Sequence, residues 1–196
     1  MKTYLYGFLL GVWGAIGFAP QGPALWARAP NGSDVVELGG LKSRVPADWA
    51  EHVPNYSHYF KQFRLEPVKQ YRLEPINDDK DDAHVAVYSP AKGEVVTAAE
   101  HVKRWKEVFL PPLGQTMDQA AKVREFTVSG ARVTLLDVHG DYKGLPGNPA
   151  TPRPNYRLLG VYFDTPQGAY VIRLFGPADT VGFYRNEFED WVKAFK

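Results

Sequence analysis

The chain contains no cysteine. That excludes disulfides, thiolate metal sites, a cysteine nucleophile and lipid attachment through an N-terminal cysteine. It also lacks a charge imbalance, with a formal net charge of +1 over 196 residues. Nothing electrostatic therefore calls for nucleic acid or an anionic membrane as partner. No block of like charge reads as an interaction tail. Long apolar runs are missing too. The run from Tyr4 to Ala19, YLYGFLLGVWGAIGFA, is uncharged but glycine-rich, and it falls short of the roughly 20 apolar residues a spanning helix needs.

The motifs of familiar chemistry are absent as well. FGPADTVGF, at the junction of an apolar run and a helical pattern, has neither GxGxxG nor a P-loop spacing. Pro177 suits the first position of a helix, and Asp179 in the first turn opposes the positive end of the helix dipole, so this junction reads as a helix start and not a phosphate cradle. His52, His58, His84, His101 and His139 show no HExxH spacing, and no serine lies in GxSxG. Asn77, Asp79 and Asp81 alternate as in a calcium loop. The sixth position is Asp82 where glycine is required and the twelfth is Tyr88 where glutamate is required, so NDDKDD reads as a solvated turn.

Lys2 followed by the Tyr4–Ala19 run, with small residues at Ala24, Ala27 and Ala29, forms a secretory signal pattern. The expected division is a signal peptide over 1–27, cleaved within about 24–29, and one domain over 28–196. Removing Lys2 leaves the domain neutral. With 44% hydrophobic residues it can build a large core without disulfides. Cleavage leaves no stable membrane span, so a periplasmic or secreted location follows.

VVELGGLKSR reads as two short strands around a Gly-Gly turn, leading to VPADW. Ser57–Leu65 and His84–Pro90 are strand candidates. Between them FRLEPVKQ and YRLEPIND form a local duplication whose prolines suit a sheet edge. Thr97–Phe109 is a helix: Ala98, Val102, Trp105 and Phe109 recur at helical spacing, and Thr97 with Glu100 matches a capping box. Lys122–Val128 and Ala131–Tyr142 form a hairpin, Tyr156–Thr165 and Gly168–Gly176 another. From Pro177 onward Val181, Tyr184, Phe188, Trp191, Val192 and Phe195 make one helical stripe. The expected fold is α+β: an antiparallel sheet of five to seven strands with a middle and a C-terminal helix packed on it.

Two places are candidates for function. The Pro-rich stretch Gly144–Asn155 is bracketed by Tyr142 and by Tyr156-Arg157. Long unstructured loops in compact domains are often functional, and Tyr and Arg are favoured at interfaces, so Tyr142, Tyr156 and Arg157 are candidate partner contacts. Arg104, beside the Trp105 stripe, is a fourth. The alternative is DVHGD, where Asp137, His139 and Asp141 would project from one strand face toward a metal or serve acid–base chemistry. No cofactor is implied.

LKSRVPADW, EHVKRWKEVF, YRLLGVYFDTPQGAYVIRLFGPADTV and the final FEDWVKAF together resemble a family of uncharacterised exported bacterial single-domain proteins. The arrangement is more loosely similar to the PsbP/Mog1-like fold, whose members mostly act as non-catalytic binding or assembly factors. That resemblance implies a binding module, its partner another envelope protein. The duplicated RLEP ribbon, Phe63 to Asp78, departs from the pattern. Expressed in a bacterium with its leader intact, the protein is expected to begin between Ala24 and Ala29, which intact-mass measurement of the exported form checks.

Overall fold

The computed structural model describes residues 35–51, 65–76, 79–90, 96–144 and 152–196. The strand candidate at Ser57–Leu65 lies outside them apart from Leu65, as does most of the Pro-rich stretch. The architecture is α+β. In chain order the elements are β1 (Val35–Leu38), β2 (Leu41–Arg44), β3 (Ala50–Glu51), β4 (Leu65–Leu73), β5 (Ala83–Pro90), α1 (Ala98–Glu107), β6 (Phe109–Leu110), α2 (Met117–Ala120), β7 (Ala121–Val128), β8 (Ala131–Tyr142), β9 (Arg153–Thr165), β10 (Gly168–Pro177) and α3 (Ala178–Lys193). β1 and β2 form a separate hairpin around Gly39 and Gly40, both at positive φ. The other eight strands form one antiparallel sheet in the order β3-β4-β5-β10-β9-β8, with β6 and β7 sharing the outer edge of β8. The sheet exceeds the expected five to seven strands because β3 and β6, two residues each, are too short to leave a periodic signal.

Strand alternation divides the core in two. On one face Val133, Leu135, Leu159, Val161, Ile172 and Leu174 meet the apolar stripe of α3, with Trp49 and the β1–β2 hairpin closing the flank. Phe188 and Val192 of that stripe are fully buried. Trp49 lies within ring contact of Tyr71, Phe188 and Trp191 and donates its indole N–H to Glu187 at 2.9 Å. On the other face Leu136, Val138, Leu158 and Val171 meet α1. Trp105 docks there against Gly160, where an added Cβ would come within 2.6 Å of the indole ring. The capping box of Thr97 and Glu100 is formed.

The acidic turn has structural work. Asp79 accepts from the backbone N–H and the hydroxyl of Thr180 at 3.0 and 2.5 Å, filling the N-terminus of α3. Pro177 is the N-cap, so the helix begins at Ala178, one residue later than expected. Asp82 pairs with Arg72 at 2.6 Å, and Asp81 accepts the Tyr156 hydroxyl. The RLEP proline Pro67 falls at a register shift of β4, where no described strand lies on its outer side.

β9 starts earlier than expected, at Arg153. A bulge opposite Gly140 to Tyr142 absorbs an extra residue, with Asn155 at φ 53°. Gly140 is at φ 150°, and a Cβ there would collide with the carbonyl of Leu110, which crosses directly above. Gly140→Ala is expected to destabilise by about 2 kcal/mol, from backbone strain and the broken β6 pairing. That is a fall in Tm of about 4–8 °C for a domain of this size. Thermal unfolding by circular dichroism checks it; an unchanged Tm would mean that β6 moves away freely.

Candidate functional site

On the α3 face, β8 runs from Val133 and Leu135 in the core to Asp137 and His139 beside the helix flank. Asp137 is buried, with 6% exposure, and its carboxylate is forked by Arg157 from β9, Nε to Oδ1 at 2.8 Å and Nη2 to Oδ2 at 2.7 Å. The pair is diagonal across the ladder, since Asp137 lies opposite Leu159 and His139 opposite Arg157. Arg185 of α3 places Nη2 3.7 Å from Asp137 Oδ2 and donates from Nε to Glu189 at 3.0 Å. Glu189 is 7% exposed and also receives Arg124 of β7 at 2.6 Å. Lys193 lies 3.9 Å from Glu189 and from the exposed Asp190. Lys122 of β7 stands opposite Asp137 in register. Two buried carboxylates thus organise a seam in which Lys122, Arg124, Arg157, Arg185 and Lys193 outnumber Asp137, Glu189 and Asp190.

Burying a carboxylate costs several kcal/mol unless charged hydrogen bonds replace its water. Here they do. Burial pushes the Glu189 carboxyl up, but the hydrogen bonds from Arg124 and Arg185 outweigh it and hold the group below the usual carboxylate range. The bond to Asp137 likewise raises Arg157 against its burial, and the bond to Glu189 raises Arg124. Each shift locks a charge in place. A general acid or base needs the opposite, a group poised to change protonation near the working pH.

The sequence-derived candidates do not meet. Asp141 is exposed and accepts the Asn155 N–H at 3.1 Å, which satisfies the bulge, while Asp137 is taken up by Arg157. Among the described residues no three His, Cys, Asp or Glu side chains are grouped to hold a metal. Asp137, the first residue of DVHGD, has a guanidinium on both carboxylate oxygens.

Tyr156 and Arg157, being adjacent on a strand, point to opposite faces. Tyr142 and Tyr156 lie on the α1 face, buried with Phe109 and Phe175 in ring contacts of 4.8–6.4 Å. Arg153 lies over Tyr156. Burial, then the hydrogen bond to Asp81, push the Tyr156 phenol up to about 12. Arg104 is half-buried on α1, across the sheet from Arg157, and reinforces the low pKa that Glu100 owes first to the Thr97 backbone N–H.

Sequence reading missed Arg124, Arg185 and Glu189. Their signal was present in the four-residue spacing Arg185, Glu189, Lys193 beside the α3 stripe, and in Arg124 alternating with Phe126 toward the same face. A second feature was read only as a helix end. Leu110 and Leu113 of LPPLG are exposed beside a groove of about 510 Å³ lined by Val102, Phe109, Pro111 and Met117.

No family model matches the chain, and no curated protein does. Among solved structures, a Pseudomonas aeruginosa protein of unknown function is similar at 13% identity and a TM-score of 0.43, covering 81% of this chain and 92% of its own. Cyanobacterial PsbP (CyanoP) from Synechocystis is similar at 12% identity and a TM-score of 0.46, covering 95% and 98%. The latter is a protein of the fold group that the sequence segments loosely resemble. These are likenesses of outline, and what each protein does stays with that protein. No helix among the described residues is long and apolar enough to cross a membrane.

The sign of the Glu189 shift makes the seam testable. A carboxyl whose folded pKa lies below its unfolded value stabilises the fold above the unfolded value, and that stability is lost as pH falls through the folded one. Glu189→Gln is expected to cost about 2 kcal/mol at pH 7, with the difference from the parent narrowing steadily from about pH 5 toward pH 3. Urea unfolding at several pH values checks this; a pH-independent cost would mean that Glu189 contributes packing and not charge.

Proposed function

We propose that the protein is an exported, non-catalytic binding module of the cell envelope, and that its contact surface is the cation-rich flank of α3 and β7. The observation that carries this reading is the seam itself. Two buried carboxylates hold Arg124, Arg157 and Arg185 at fixed positions on a rigid helix and sheet, yet the outer parts of Arg124, Arg185 and Lys193 remain exposed at 44%, 37% and 52%. Pre-positioned charges lose little conformational freedom on binding, which suits recognition. Their locked protonation does not suit proton transfer.

Export rests on the leader pattern of residues 1–27, with the binding domain over 28–196 in the periplasm or outside the cell. The partner on this reading is an envelope protein that presents carboxylates. Tyr142 and Tyr156 enter as buried anchors of the opposite sheet face, and Arg157 as the residue that fixes Asp137.

A tagged exported domain is expected to retain one envelope protein near stoichiometry from extract of its source. The double variant Lys122→Glu, Lys193→Glu should lose it, with retention down at least tenfold. Neither lysine forks a buried carboxylate, so the variant should fold. Retention unchanged by both reversals would rule out this flank as the contact surface.

A further inference from the structure

β7 carries more than charge. All eight of its residues pair with β8 in continuous register, from Ala121 opposite Val138 to Val128 opposite Ala131. Among the described residues β7 pairs with β8 alone. Its outer side is therefore a straight row in which every second residue turns its N–H and C=O away from β8. Lys122, Val123, Arg124, Glu125 and Thr127 are all exposed. The opposite margin of the sheet differs, because the ladder of β4 shifts register between Pro67 and Lys69.

Exposed regular edges invite any extended chain, and proteins blunt them with charge. Here the charges are sorted by face. Lys122 and Arg124 point to the α3 side, beside Arg185 and Lys193, while Glu125 points to the other side with Val123 and Thr127. A second copy of β7 laid against this edge would bring Lys122 and Arg124 onto like charges, which opposes self-pairing. A strand with carboxylates on one face would place them about 5 Å from the same two cations. Its backbone would satisfy the outer N–H and C=O groups, and on its other face an apolar side chain could cover Val123, which is 45% exposed.

We infer that the β7 edge receives an extended acidic segment of a partner protein by strand addition, its carboxylates alternating onto Lys122 and Arg124. This rests on the binding reading above and names the partner's chemistry and mode. Nucleic acid offers charge but no backbone complementary to a strand edge, so the row of amides favours a polypeptide.

The test uses the exported protein and fluorescently labelled eight-residue peptides of alternating Glu and Thr, followed by anisotropy. The Glu–Thr peptide is expected to bind at least tenfold more tightly than its Lys–Thr counterpart, and Lys122→Glu should weaken it about tenfold. Two further peptides are N-methylated on one or the other alternate set of amides. Strand addition requires that one set abolishes binding and the other spares it, because only one set faces the edge. Equal binding of both methylated peptides would overturn strand addition and leave a merely cationic surface, as the proposed function requires. No binding by any acidic peptide would overturn the inference, and the extract experiment separately decides the wider reading. Displacement by a single-stranded oligonucleotide at equal concentration would also overturn it.

Discussion

The rest of the structure depends on α3 lying across one face of the sheet. Val181, Tyr184, Phe188, Trp191, Val192 and Phe195 bury into β5, β8, β9 and β10. This burial draws in the surrounding pieces. Asp79 fills the start of the helix, Trp49 closes its flank through Glu187, and the backbone of Lys42 exchanges hydrogen bonds with Lys196 beyond its end. Large aromatic side chains at 0–8% exposure each contribute several kcal/mol that truncation would remove. The β1–β2 hairpin and the acidic turn, too small to be stable alone, are held because they cover or cap this helix.

The polar flank of the same helix carries the seam. Glu189 and Asp137 lie where the apolar stripe ends, and such a position is tolerable only with guanidinium partners. Arg185 bridges both carboxylates, so helix and sheet are tied by charge along one side and by apolar contact along the other. The cations therefore come in excess at a fixed place beside β7, whose eight-residue ladder on β8 runs without a shift at the sheet margin. Rigidity here is a product of desolvation: the carboxylates cannot leave without stranding a buried charge. Among the described residues the opposite face is instead filled with apolar surface by Trp105, Tyr142, Tyr156 and Phe175, and the Tyr156 hydroxyl reaches Asp81.

Much of the fold was legible because it rests on local periodicity. The Gly39-Gly40 and Ser129-Gly130 turns, the capping box at Thr97, both long hairpins and the α3 stripe are all written in neighbouring residues. β3 and β6 were not legible, because two residues carry no period and form only where β4 and β8 offer a partner. The bulge at Asn155 was hidden by the prolines around it. The site was harder still. Tyr156 and Arg157 looked like one patch when read as neighbours, although the strand that carries them sends them to opposite faces. Nothing within DVHGD announces the guanidinium that Asp137 meets, because Arg157 is distant in sequence.

By itself the sequence determined the long hairpins, the two long helices and the absence of thiol chemistry, since each follows from composition or from spacing within a few residues. Only the tertiary structure decided which charges meet. Arg124, Asp137, Arg157, Arg185 and Glu189 come from four separate elements, and the sequence holds no local signal for contacts made across strands and between helix and sheet. Burial made these contacts obligatory, because a carboxylate removed from water must find its cations wherever the fold has put them.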